Sequence, residues 1–256
     1  MAAASEAARR RIAVRADGRA PDELRECIIE RGVNRYAEGS ALIKLGNTHV
    51  LCTATVTDRL PKWLAGSDQG WITAEYSLLP RATAERTARE SAGNVSGRTY
   101  EIQRMIGRAL RAACDLRALA PWAVIMDCDV LQADGGTRTA AITGGYVALA
   151  EAMSWLLGRN MIRSWPLTCQ VAAISAGLVL GEVLVDLTYQ EDSTAAVDMN
   201  LVMAHTGRVV EIQAAAEGNP FTFENLNAML SAATRRLKDL YTIQQKALEG
   251  LVTRPG

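Results

Sequence analysis

An α+β fold is what this sequence predicts, and three observations carry that expectation. Runs of β-branched and apolar residues occur as neighbouring pairs around glycine turns, as in Ser40 to Leu45 and Thr48 to Thr57 flanking Gly46-Asn47. Long stretches with apolar residues at helical spacing stand between and after those pairs, from Thr99, from Ala140 to Leu157 and from Thr222 to Glu249. The strand pairs of the first half are echoed in the second, which hints at a duplicated strand-and-helix unit. With 49% hydrophobic residues, the 256-residue chain can bury a substantial core. It is read as one domain over residues 1–256, with 1–14 a disordered tail.

In chain order, the segment up to Leu24 is an arm with turns at Asp17-Gly18 and Ala20-Pro21. A strand follows from Arg25 to Arg31, then the hairpin at Gly46-Asn47. A turn-rich loop, Asp58 to Gly70, leads to the strand WITAEYSLLP, which Pro80 ends. From Arg81 to Gly97 large apolar residues are scarce, so this stretch is expected to be an exposed, mobile loop. The helix from Thr99 should bury Ile102, Met105, Ile106, Ala109, Leu110 and Ala113 and present Arg104, Arg108 and Arg111 on another face, with Glu101 a partner for Arg104 and Arg108.

Ala123 to Leu131 alternates, with Val124, Met126, Cys128 and Val130 on one face and Asp127 and Asp129 on the other. The helix Ala140 to Leu157 comes next. Thr168 to Ser175 and Leu178 to Tyr189 are β-rich, with turns expected at Gly177 and Gly181-Glu182. Ala196 to Ala204 and Arg208 to Ala216 form a hairpin through His205-Thr206-Gly207. The last helix carries a stripe of Phe223, Leu226, Leu230, Ala233, Leu237, Leu240 and Tyr241. Its capping box reads as incomplete, because Asn225 stands where Glu or Gln is usual, and the tail LVTRPG is expected to fray.

Composition excludes several classes. Five cysteines, Cys27, Cys52, Cys114, Cys128 and Cys169, are odd in number and lack C-x-x-C spacing, so they read as reduced core residues. His49, a strand surface residue, and His205, a turn residue, are the only histidines, which argues against a histidine triad or a histidine-rich metal site. No run approaches the length of apolar sequence that spans a bilayer, and the start, MAAASEAARRR, lacks a secretory apolar core. A cytoplasmic location without membrane contact is the expectation. The formal charge of +0 hides an uneven distribution, since Arg81 to Arg117 holds eight arginines against four acids. Arginine forks suit phosphate better than lysine does.

The stretch DVLQADGGTRTAAITGG, Asp129 to Gly145, concentrates the chemistry. A strand, the turn at Gly135-Gly136 and a helix N-terminus bring unpaired N–H groups together with the Thr137 hydroxyl and the Arg138 guanidinium, a cradle for an anion. A capped turn that binds nothing is the plain alternative. Walker spacing is absent and no lysine follows the glycines, so one phosphate group fits better than a magnesium-bound triphosphate. Arg98, at the positive end of its helix, is uncomfortable there unless an anion joins it. Asp186, Asp192 and Asp198 recur at six-residue intervals in VDLTYQEDSTAAVDMN, as catalytic acids or as capping residues, whereas Asp127, Asp129 and Asp134 read mainly as structural, bonding the glycine turn and neighbouring arginines.

QADGGTRTA, GRTYEIQR (Gly97 to Arg104) and QGWITAEYSLLPRAT (Gln69 to Thr83) together resemble the ribonuclease PH family of phosphate-dependent 3′ exoribonucleases, and the likeness runs from RADGR to the last helix. It implies a ribosomal protein S5 domain 2-like fold with two βαβα-type halves and mixed sheets. The resemblance carries phosphate binding onto Arg98, Thr137 and Arg138, with Gly136 allowing close backbone approach. Asp192 and Asp198 become the catalytic acids and ligands for a divalent cation, magnesium by expectation. Inorganic phosphate is then co-substrate, and RNA 3′ ends, those of transfer RNA precursors, are the substrate. Arg81, Arg86 and Arg89 would touch RNA, and six copies would assemble as a trimer of dimers. A non-catalytic RNA-binding ring subunit of an exosome-like complex and a metal-dependent hydrolytic nuclease remain the alternatives.

Overall fold

The computed structural model describes residues 15–64, 66–90 and 95–253. The expected disordered tail therefore lies outside the described residues, as do parts of the arginine loop and of LVTRPG.

Two sheets share one long helix. The first sheet runs in the order β1 (Cys27–Arg31), β2 (Gly39–Leu45), β3 (Thr48–Thr57), β5 (Ala123–Gln132) and β4 (Trp71–Leu78). Its pairs are antiparallel except β4 with β5, which are parallel because the helices α1 (Gly97–Ala112) and α2 (Leu116–Leu119) cross between them. The second sheet, in the order β7 (Glu182–Val185), β6 (Val171–Val179), β8 (Val197–Ala204) and β9 (Val209–Ala216), is wholly antiparallel. The α+β class holds, but only the first sheet is mixed, and the second half has no crossover helix inside its sheet.

Helix α3 (Thr137–Gly158) lies between the sheets, against β2 and β3 on one side and β6 on the other. It is buried on nearly all its sides, which explains a sequence apolar all round. It also corrects the reading that no run approaches a membrane span: it is 22 residues long and holds an 18-residue window with a mean hydropathy of 1.3, yet 89% of that window is buried inside the protein. Close approach is built into its sequence. A Cβ on Gly39 would stand 2.0 Å from the Ala148 carbonyl oxygen, and one on Gly144 would meet the Ile43 side chain at 2.7 Å.

The last helix, α5 (Phe223–Ala247), packs on β6, β7 and β1. Ala233, Leu237 and Leu240 are buried there as the stripe predicts, but Phe223 is 80% exposed and Met229 takes the core position instead. The capping box is complete after all. Thr222 Oγ1 accepts from the Asn225 N–H and Asn225 Oδ1 accepts from the Thr222 N–H, so the shorter amide does the work of Gln. Gly177, expected in a turn, sits inside β6. Its hydrogen leaves room for Leu187 and the Val197 carbonyl, each 2.7 Å from where a Cβ would be. All five cysteines are free.

Candidate active site

The turn between β5 and α3 is one of the places where the two halves of the chain touch. Gly135 and Gly136 have φ of 73° and 66°, a left-handed region that glycine enters without penalty. Space matters as much as angle here. A Cβ on Gly135 would lie 2.4 Å from the Leu187 carbonyl and 2.8 Å from the Tyr189 nitrogen, so the backbone leading into the second half's short helix α4 (Tyr189–Asp192) rests directly on this glycine.

One guanidinium ties the contact together. Arg25 donates from Nε and Nη2 to the Asp186 carboxylate at 3.0 and 2.7 Å and from its backbone N–H at 2.8 Å. From the other side of its fork it reaches the Asp134 and Gly135 carbonyls and the Thr48 hydroxyl. Arg19 adds a 3.3 Å ion pair to Asp186, and Arg15 grips Glu191 through two 2.7 Å bonds. The Asp186 and Arg25 side chains are 1% and 5% exposed. Asp186 also holds φ at 56°, a conformation rare outside glycine and asparagine-like residues.

Sequence reading weighed Asp186 as a candidate acid; its carboxylate is instead consumed by arginines. Arg25, Arg15 and Glu191 were missed. RADGR and the arginine of DELRE were visible motifs, but their partners lie 161 and 176 residues away along the chain. Asp134 fulfils the structural role expected of it, accepting from the Tyr189 N–H at 3.1 Å and donating its own N–H to Thr48 Oγ1 at 2.9 Å. Asp127 and Asp129 do not: among the described residues neither side chain forms a hydrogen bond or ion pair. Burial pushes both carboxyls up, and at Asp129 the charge of Arg89 works against the rise.

The first residues of α3 form the cradle. Gly136 is the N-cap and has no side chain to occupy the helix's free N–H groups. Thr137 follows, and its Oγ1 accepts a 2.8 Å bond from the hydroxyl of Tyr76, a residue otherwise buried in the core. Arg138 Nη1 donates to Gln213 Oε1 at 3.4 Å, and Gln213 Nε2 donates on to Glu101 and Glu211. Arg108 pairs with Glu211 at 2.9 Å, not with Glu101 as the helical spacing led one to expect. Arg98 lies within the first turn of α1, behind the N-cap Ser96, and among the described residues has no ion-pair partner.

The charges of these groups act on common partners. Burial raises the Tyr76 phenol's pKa, and the charges of Arg98 and Arg138 oppose that rise. The Asp192 carboxyl, at the end of α4, is held above the usual aspartate range by desolvation and by Asp198 beside it, while Arg138 and Arg98 pull it down. Asp198 sits in β8 opposite Gly177 and Ala215. Residues of both halves thus act on one another here: Arg98 and Arg138 on Asp192 and on Tyr76, and Asp198 on Asp192, while Tyr76 bonds Thr137. Arg81, Arg86 and Arg89 do not join them; they lie exposed on the connection between β4 and α1.

Among the described residues no group of three or more His, Cys, Asp or Glu side chains is gathered as a metal centre. The adjacent carboxylates of Asp192 and Asp198 still fit magnesium, which keeps several waters and takes one or two protein carboxylates.

A helix N-terminus with free N–H groups and arginine charge acting beside it is an arrangement suited to an anion such as phosphate. More specifically, the chain belongs to the 3′ exoribonuclease family, whose domain 1 matches residues 23–154 and whose domain 2 matches residues 169–236. A ribonuclease PH of Moorella thermoacetica is 53% identical over 244 residues, 95% of this chain and 98% of that one. In solved structures, a chain of the Archaeoglobus fulgidus exosome with RNA bound to the active site aligns at a TM-score of 0.75 and 25% identity, covering 90% of this chain and 92% of the other. Rice Rrp46 aligns at a TM-score of 0.75 and 20% identity, covering 92% and 100%, and shows the fold alone.

Proposed function

We propose that this protein is a phosphate-dependent 3′-to-5′ exoribonuclease that releases nucleoside diphosphates, with transfer RNA precursors as its substrates. The observation that carries the reading is the convergence of Arg98, Thr137 and Arg138 with Asp192 and Asp198, within a chain of the 3′ exoribonuclease family. Two anions, orthophosphate and the terminal diester, repel each other until fixed positive donors neutralise them. The α3 N–H groups, the Thr137 hydroxyl and the two guanidinium groups supply that neutralisation and hold the phosphate for in-line attack. A phosphate oxygen bonds to the phosphorus of the terminal nucleotide, and the bond from that phosphorus to the preceding 3′ oxygen breaks. A carboxyl of the Asp192–Asp198 pair supplies the proton that the leaving oxygen takes up. Magnesium held by the same pair would add charge stabilisation at the scissile group.

Two different products separate the readings. Incubated with a short RNA, the protein should release nucleoside diphosphates only when inorganic phosphate is added. Monophosphates without phosphate would make it a hydrolase. No product under either condition would make it a non-catalytic RNA-binding ring subunit.

Assembly belongs to the same proposal. The exposed Arg81, Arg86 and Arg89 of one copy can hold few nucleotides, and such contacts weaken steeply with salt. A hexamer built as a trimer of dimers would bring several such loops to one RNA and convert weak contacts into avid ones.

A further inference from the structure

We propose that Tyr76 is a positioning residue of the phosphate site: its buried hydroxyl donates to Thr137 Oγ1 and so leaves the threonine's single proton free to be given to the bound anion. The inference deepens the phosphate-dependent reading above and rests on it. Tyr76 is a core residue by every other measure. It is 3% exposed, it alternates with the buried Ile72 and Ala74 along β4, and its ring lies within the main hydrophobic cluster. A phenylalanine would satisfy that packing. The phenol differs only in an oxygen, and that oxygen ends 2.8 Å from the first side chain of the anion cradle.

A hydroxyl has one proton and two lone pairs. Thr137 begins α3, where the side chain could otherwise rotate among local acceptors, as the Thr139 hydroxyl does in donating to the Gly136 carbonyl at 2.9 Å. By filling one lone pair from inside the core, Tyr76 fixes the rotamer and directs the remaining proton outward. The bond to Thr137 sets the tyrosine oxygen against the first turn of α3, and the charges of Arg98 and Arg138 act on the same phenol. Strand β4 is bonded along its length to β5, which ends at the glycine turn, so the donor and the cradle share one rigid support.

The test uses the whole protein and a short RNA, comparing wild type, Tyr76→Phe, Thr137→Val and the double variant. Tyr76→Phe is expected to raise the KM for inorganic phosphate about three- to tenfold, the cost of one lost hydrogen bond, with the KM for RNA unchanged. In the Thr137→Val background the same change should have no further effect on phosphate. A second readout does not need turnover: inorganic phosphate should raise the unfolding temperature of Tyr76→Phe less than that of wild type. Unchanged phosphate KM and undiminished phosphate protection would overturn the proposal, as would additive effects in the double variant or a Tyr76→Phe chain that does not fold. A wild type that phosphate protects but that releases no diphosphates would instead bring down the phosphorolytic reading, leaving the placement of the anion standing.

Discussion

Replacing Asp186 by Asn should unfold this protein earlier by far more than a typical surface change, and the reason is the arginine clamp. Asparagine has nearly the shape of aspartate and tolerates the left-handed backbone at φ 56°, so neither packing nor strain accounts for the loss. What changes is charge. Arg25 gives Asp186 three hydrogen bonds and Arg19 a fourth contact at 3.3 Å, with the Arg25 and Arg19 side chains 5% and 9% exposed. Removing one partner of a buried pair leaves the other charge without compensation and costs about 3–5 kcal/mol.

For a protein of this size each kcal/mol moves the midpoint by about 2–4 °C, so calorimetry should find Asp186→Asn melting about 6–20 °C below wild type. The control is Asp17→Asn. Asp17 also pairs with Arg19, at 2.7 Å, but is 38% exposed, and such pairs contribute less than about 1 kcal/mol. Combining Arg25→Met with Asp186→Asn should cost less than the two single changes added together, because the two buried charges leave together. An Asp186→Asn protein within about 2 °C of wild type would refute the clamp argument, as would a double variant whose loss equals or exceeds the sum of the two singles.

Four other outcomes are expected. Arg138→Ala should fold normally yet lose at least about a hundredfold in phosphorolysis, since one charged donor to a desolvated anion is worth about 2.7–4 kcal/mol; steady-state rates at fixed phosphate check this. Asp198→Asn should still bind RNA in a filter assay while single-turnover cleavage disappears. Against the upward push of burial, hydrogen bonds from Arg15 and the Thr188 backbone keep Glu191 below the usual glutamate range. The unfolded chain therefore binds more protons at acid pH, and the stability from Glu191, full above that range, is lost as pH falls through it; Glu191→Gln should flatten the acid limb of an unfolding-versus-pH curve. Arg86→Ala and Arg89→Ala should weaken binding of a long structured RNA and leave cleavage of a very short oligonucleotide intact, and equal losses on both would show that the loop acts at the scissile end.

The parts of this fold that sequence made legible are those specified by near neighbours. The hairpin at Gly46-Asn47, the alternation in β5 and the start of α3 at its glycines follow from local periodicity and turn chemistry, and each appears where it was expected. Misreadings arose where a residue's role depends on something distant. Gly177 looked like a turn because its reason for being glycine, the Leu187 side chain and the Val197 carbonyl, is not adjacent in sequence. Phe223 fitted a helical stripe, but the stripe continues past the end of the surface that α5 covers. Arg108 had a partner at the right helical spacing and chose one on β9 instead. Asp186, Asp192 and Asp198 looked alike as a spaced trio, and only their surroundings distinguish them. The first meets two buried guanidinium groups, whereas the other two meet each other.

That difference explains how a site rich in arginine can stay ready for an anion. A guanidinium already bonded to a carboxylate must give up that bond before it can take phosphate, which is why Arg15, Arg19 and Arg25, all engaged, serve as scaffold. Arg138 is bonded instead to the neutral amide of Gln213, at a long 3.4 Å, and Arg98 has no ion-pair partner among the described residues. Phosphate offers the guanidinium a full opposite charge and a bidentate partner where the amide offers only a dipole, so exchanging the Gln213 contact for an anion is favourable. Asp192 and Asp198 compete for the same charges only from across the site, by field rather than by contact, and their mutual repulsion makes them weaker competitors. The fold thus commits its acids to the arginines that hold the two halves together, and among the described residues neither Arg98 nor Arg138 has a direct acid partner.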